Sequence, residues 1–393
     1  MLAAYLGATC VSPGDRVDAM VSTDASHVNA RVVRLIHGDP NPEGPGVVEE
    51  DTLWPGIGVQ TGGQQPLLTG SWLELPLNPN GLQSPTLALW VYWTGVSPDE
   101  QTLASLSHQG TEVLRLAIRS DSHIEAGVGE SGATAVLRTP TPIHRRRWYF
   151  VGISADAPTG QLGVSCAERG TSVFSVERTQ AGWNGIPRDS DTLLLGASLE
   201  NESVHNSFSG KIGGIRIFEG LLDDIDLSDL KQGAEPEGGR CEGAWDLARL
   251  TTGTRAVDIS GHGRHGQIHN GAARAVTGPE WQGTDTTIGS APRLYDAVHL
   301  HDDDLADAKW LPTFTLSVPA DARSGIYAVR LSTEEEEVAL SMVVGPSPQS
   351  SSPVLFVVPT LTWLAYANFD SGDIHHIGLS LYDSHSDGSP NYY

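Results

Sequence analysis

Four short apolar stretches constrain this chain most: TLALWVYW (86–93), EVLRLAIRS (112–120), RWYFVGIS (147–154) and GGIRIFEG (213–220). Gly, Pro, Asp and Ser separate them, so they read as strands at a spacing that favours an antiparallel β-sandwich. Apolar runs as continuous as 87–93 imply strands covered on both faces. The 44 glycines and 24 prolines exceed a sixth of the 393 residues, which suits many turns and short strands better than long helices.

The same pattern continues on either side. Residues 1–50 hold strand-like pieces around SPGD and close in the loop HGDPNPEGPG. FTLSV (314–318) and YAVRL (327–331) alternate cleanly, and PADARSG between them reads as a turn linking paired strands. The helical pattern is LLDDIDLSDLKQG (221–233), with Leu221, Leu222, Ile225 and Leu230 on one face and Gly233 as C-cap. GPSPQSSSP (345–353) has linker composition. After it, Val354 to Val358 read as a strand opening an α/β sheet, whose ligands meet the carboxyl ends of strands. Only 35 residues follow Val358, too few for such a domain, so the chain reads as incomplete. The expected organisation is a β segment at 1–50, a sandwich at 51–235, a β-rich connecting region at 236–345 and the start of an α/β domain at 346–393.

Charge narrows the partners. With 48 acidic against 24 basic side chains the net charge is −24, which argues against nucleic acid and anionic membranes. The one basic cluster, HRRRWYF (144–150), flanks a strand and reads as solvated. No stretch approaches 18 apolar residues, and MLAAYLGATCVSPGD lacks the basic region and apolar core of a signal peptide. A cytoplasmic protein is the expectation. Cys10, Cys166 and Cys241 are far apart and form no CxxC, so neither a zinc knuckle nor a disulfide framework is indicated.

Four places concentrate reactive side chains. In DISGHGRHGQIHNG (258–271) the glycines favour a turn over a metal site built from His262, His265 and His269. In AVHLHDDDLADAKW (297–310), His299 and His301 share a strand face, and Asp302 to Asp304 beside them could complete a divalent-cation site. The same residues also read as a strand end entering a helical turn capped by an Asp. Glu334 to Glu337 read as a solvated turn. The tail, 362–393, gathers Tyr366, Tyr382, His375, His376 and His385, where core packing and function both fit.

GAWDLA (243–248), DISGHGRHGQIHNGAARAVTGPEW (258–281), HLHDDDLADAKW (299–310), RSGIYAVRL (323–331), PTLTWLAYAN (359–368) and SLYDSHSDGS (380–389) together resemble the large (β) subunit of the N,N-dimethylformamidase family. LALWVYW, RRWYFVGIS and GGIRIFEGLLD resemble the laminin-G/concanavalin-like sandwich preceding those motifs in that family. The resemblance implies a mainly β chain leading into an amidotransferase-like α/β catalytic domain. It implies an amide hydrolase acting on a small amide substrate, with mononuclear iron held by two tyrosines and a glutamate. Tyr366 in LAYAN and Tyr382 in SLYD match the tyrosine positions, and the glutamate is expected beyond Tyr393. TW at 362–363 departs from the family's TY. His385 is the candidate acid for protonating the leaving amine. A small partner subunit or self-association is also implied. A β-sandwich module binding carbohydrate, calcium or protein is the alternative reading.

Overall fold

The computed structural model describes residues 1–39, 41–96, 99–129, 135–172, 174–180, 182–190, 192–200, 203–347, 353–365 and 384–390. Its elements fall into two compact units, Met1–Leu67 with Ala308–Pro359, and Leu68–Asp307 with Thr360–Tyr393. The sequence-derived ends at 50, 235 and 345 are not the ends of these units, because strands pair across long sequence separations. His27–Gly38, for example, is antiparallel to Gly325–Ser332, with Val32 opposite Val329.

In the first unit, a three-stranded sheet orders Leu2–Leu6, Arg16–Thr23 and Phe314–Ser317. A six-stranded sheet centres on His27–Gly38, Gly325–Ser332 and Glu337–Val344. Val17, Val28, Val32, Leu316, Val329 and Met342 fill the core, all at or below 2% exposure. Phe314–Ser317 and Gly325–Ser332 are strands, as their alternation implies, but they do not pair with each other. The first pairs with Arg16–Thr23 and the second with His27–Gly38 and Glu337–Val344. Alternation fixes which face is buried and says nothing about the neighbour. The acidic run 334–337 lies at the exposed turn into Glu337–Val344.

The second unit is the sandwich, a continuous ladder of fifteen strands among the described residues. One sheet carries Trp72–Leu75, Gln101–His108, Thr111–Ile118 and Leu193–Leu195; the other carries Pro85–Trp93, Trp148–Asp156, Gly210–Glu219 and Arg240–Asp246. Pro85–Trp93 is covered on both sides, as its unbroken apolar run implies. Leu87, Leu89 and Val91 enter the core with Leu73, Leu116 and Trp245. Ala88 and Trp90 join a second cluster with Phe150, Phe218, Leu222, Leu227 and Leu230. Each fully buried aliphatic side chain contributes about 1.5–3 kcal/mol over exposure.

The helix is Asp224–Lys231, shorter than 221–233. Asp223 caps it, its Oδ1 accepting from the amides of Ile225 at 2.8 Å and Asp226 at 2.9 Å. A cap of this kind is worth about 1 kcal/mol. Starting at residue 224 turns Leu227 and Leu230 inward and leaves Ile225 71% exposed, so Ile225 is not on the buried face. Gly233, one residue past the C-cap Gln232, takes the left-handed conformation with φ 81°. Residues 354–358 form no strand; Leu355, Phe356 and Val357 are at least 73% exposed, and Thr360–Ala365 is a short helix. An apolar run becomes a strand only beside a partner edge, and none of the described strands pairs with it. No described helix is long and apolar enough to cross a membrane.

Candidate functional site

Of the sequence-predicted site residues, Tyr366 and Tyr382 lie outside the described residues and His385 lies within them. His385 is 8% exposed and meets the HLHDDD segment, some eighty residues earlier in the chain. Ala297–Leu300 pairs with Gly210–Gly213, placing His299 opposite Lys211. The His299 backbone also exchanges two 3.0 Å hydrogen bonds with Ala273. The strand then ends: the His301 carbonyl accepts from Ser71 N–H at 3.0 Å, and the His301 amide donates to Asp304 Oδ2 at 3.0 Å. Asp304 thereby closes a tight turn at 301–304, and the Asp-capped helical turn expected from the sequence does not form there. Ser71 Oγ–H adds a 2.5 Å bond to the same carboxylate oxygen.

Residues 384–390 close a turn against this segment, with Gly388 at φ 79°. His385 Nδ1–H donates to Asp303 Oδ1 at 2.7 Å, and Ser386 N–H donates to Asp303 Oδ2 at 2.6 Å. The His385 ring stacks on His301 at 3.6 Å with 2° between planes, while His299 and His301 meet at 4.0 Å and 45°. Asp387 Oδ1 accepts from the Ser389 amide at 2.8 Å and its hydroxyl at 2.6 Å. Ser389 Oγ also lies 3.0 Å from His301 Nε2.

Two buried polar atoms here have no hydrogen-bond partner, His299 Nε2 and Asp387 Oδ2, which stand 3.6 Å apart. Burial pushes the His299 imidazolium down to about 4, against the opposing pull of Asp387. Burial disfavours the Asp387 carboxylate, yet His299, Ser389 and Thr94 together outweigh it and hold the group well below the usual carboxylate range. The site thus joins a neutral imidazole to a carboxylate. Within it, two sets of possible donors converge: His299, His301 and Asp387, and His301, Asp304 and His385, each with ligand atoms within 4.8 Å of one another. Sequence reasoning reached His299, His301, Asp302 to Asp304 and His385 separately, took the tail aspartates only as a group without singling out Asp387, and missed Ser389 and Ser71. No sequence spacing joins residues 71, 299–304 and 385–389; only the fold does.

The other histidine segment is structural, as its glycines imply. His265 Nδ1 accepts from the Asp258 amide at 3.0 Å, and His269 stacks on Trp72 and contacts Glu74 at 2.9 Å. A cleft of about 990 Å³ also opens in this unit, lined among others by Trp90, Phe150, Phe174, Arg216, Lys231 and Asp296. Burial pushes the Asp296 carboxyl up to about 6.

Residues 273–393 match the family described as N,N-dimethylformamidase beta subunit-like, C-terminal, and residues 68–227 match the concanavalin A-like lectin/glucanases superfamily. The N,N-dimethylformamidase beta subunit of an Alcaligenes species is 28% identical over 98% of this chain. That of Paracoccus aminophilus is 27% identical over the same share. The chain spans 58% of the length of each of these two relatives. A heptameric SAP-like pentraxin from Limulus polyphemus superposes with a TM-score of 0.33 at 11% identity, over 52% of this chain and 82% of its own. With its sandwich built, the chain is thus similar along 98% of its length to two N,N-dimethylformamidase beta subunits, and its residues 273–393 match the C-terminal family model of such subunits.

Proposed function

We propose that this chain is the sandwich-bearing part of an amide hydrolase that converts small N-substituted amides, of the N,N-dimethylformamide type, to amine and carboxylate. The observation supporting it is the identity of 27–28% across 98% of the chain to two N,N-dimethylformamidase beta subunits. Tyr366 and Tyr382 are the proposed iron ligands within the chain, with a glutamate from outside residues 1–393 as the third. Two phenolates and a carboxylate are hard anionic donors, a set that suits ferric iron. Iron held there would supply Lewis acidity toward the amide carbonyl oxygen and toward water.

The chain's own contribution to proton transfer is His385. Asp303 fixes its Nδ1–H and therefore its ring orientation, so Nε2 is the atom through which a proton would reach the leaving amine. With one iron ligand elsewhere, the 393-residue chain alone is proposed to turn over no amide, and a small subunit or a second copy is its proposed partner. In the complete protein, Tyr366→Phe is expected to remove iron and its phenolate charge-transfer colour. Asp303→Asn is expected to keep the iron and lower kcat by about 10–100-fold with little change in KM. Full iron retention by Tyr366→Phe, or dimethylamine release that survives complete chelation, would overturn the reading.

A further inference from the structure

We propose that His299, His301 and Asp387 form a binding site for a divalent first-row transition metal of the zinc class, with no ligand drawn from Tyr366 or Tyr382. The site would tie residues 384–390 to the strand Ala297–Leu300. It stands on geometry alone and does not depend on the hydrolase reading.

Three observations converge. First, the three side chains are each at or below 5% exposure and offer ligand atoms within 4.8 Å of one another. Second, His299 Nε2 and Asp387 Oδ2 are both buried without a hydrogen bond, and the contact between them is a long ion pair. They face each other at 3.6 Å, too long for a hydrogen bond. Two ligand atoms on a tetrahedral metal at about 2.0–2.1 Å stand about 3.3 Å apart, so an ion would need only a small contraction of this pair, while the His301 donor has to close from a separation of up to 4.8 Å. Buried polar atoms are almost always satisfied, and a bound ion would satisfy both of these at once. Third, the supports for such ligands are in place. Asp387 Oδ1 is held by the Ser389 amide and hydroxyl, and the His299 backbone is pinned on both sides by Ala273 and Lys211.

Ring geometry decides between the two candidate donor sets. Imidazole lone pairs lie in the ring plane. His301 and His385 stack in parallel, 3.6 Å apart and 2° from coplanar orientation, so no ion can lie in both planes. Asp304 and His385 are moreover engaged with Ser71, the His301 amide and Asp303. The planes of His299 and His301 are tilted by 45°, so parallel stacking does not bar a shared ion, and His301 would give up its contact with Ser389 Oγ or with Asp304 Oδ2 to bind it. Two imidazoles and one carboxylate favour zinc, cobalt or ferrous iron over calcium and magnesium, which take oxygen ligands. Three protein ligands leave a fourth position for water.

The test is titration of the chelator-stripped 393-residue chain with Zn²⁺ and with Co²⁺, followed by metal analysis and the visible Co²⁺ spectrum. One equivalent is expected to bind to the wild type and to the Tyr366→Phe/Tyr382→Phe double variant. The isosteric Asp387→Asn and the variant His299→Gln are each expected to weaken binding at least tenfold. Zn²⁺ is also expected to raise the Tm of the wild type but not of Asp387→Asn. Absence of Co²⁺ and Zn²⁺ binding by the wild type overturns the proposal, whether or not the variants fold. So does equal binding by Asp387→Asn, or loss of the equivalent in the tyrosine double variant with retention in His299→Gln. None of these results bears on dimethylamine release, so this site and the hydrolase reading fail independently.

Discussion

Replacing Asp296 by Asn should stabilise the sandwich at neutral pH and leave it unchanged in acid. Asp296 follows the 3-10 turn Pro292–Tyr295 and lines the cleft beside Arg216. Its Oδ1 accepts from the Leu247 amide at 2.6 Å. Burial is the main cause that raises its carboxyl from 3.8 to about 6, helped by Asp246 and Glu280 and opposed by the Leu247 amide and Arg216. The folded chain therefore binds more protons than the unfolded chain between those values, and stability falls as pH rises through the window. Two pKa units at about 1.36 kcal/mol each give a ceiling of about 3 kcal/mol. Solvent still reaches part of the side chain, which trims the expected effect to about 1–2 kcal/mol. Asn keeps the acceptor for Leu247 and removes the charge. Every other titrating group is common to both proteins, so the difference between them isolates Asp296. Urea or calorimetric unfolding at several pH values from 4 to 8 should show coincident stabilities at the acid end. By pH 7 the variant should lead by several degrees in Tm. A gap that stays constant across that range, or that widens toward acid, would refute the reasoning.

Two further outcomes test how the sandwich is held. Trp245 is fully buried and its Nε1–H donates to the Arg264 carbonyl at 2.9 Å, so Trp245→Phe should cost about 2–4 kcal/mol in urea unfolding through lost volume and an unpaired carbonyl. Gly214 sits at the register shift between Gly210–Glu219 and Pro85–Trp93 with φ 58°, and a Cβ there would lie 2.9 Å from Trp90 Cδ1. Gly214→Ala should therefore lower stability by about 1–3 kcal/mol, and an unchanged melting curve would show that the bulge tolerates a side chain.

Much of the fold was legible because local patterning carries it. The stretches at 86–93, 112–120, 147–154 and 213–220 became Pro85–Trp93, Thr111–Ile118, Trp148–Asp156 and Gly210–Glu219, all antiparallel in the sandwich. An unbroken apolar run at 87–93 can be satisfied only by cover on both faces, which the two clusters around Leu89 and Trp90 supply. The motifs at 243–389 likewise carried the resemblance to N,N-dimethylformamidase beta subunits, and the C-terminal family model matches residues 273–393. What alternation cannot specify is a partner. FTLSV and YAVRL look like one hairpin and belong to different sheets, and the run 354–358 looks like a strand and is not one. The candidate site has the same character. His299, His301 and His385 were each visible as residues able to do chemistry, but their convergence with Asp387 depends on a turn at 384–390 folding back across some eighty residues, and the contact of Asp304 with Ser71 spans 233 residues. Local sequence determined the strands, the buried faces and the family resemblance; the tertiary structure alone decided which strands are neighbours and which imidazoles meet which carboxylates. The physical reason is that backbone preference and hydrophobic period act over a few residues, whereas a pairing or a ligand set depends on contacts that exist only once the chain has closed on itself.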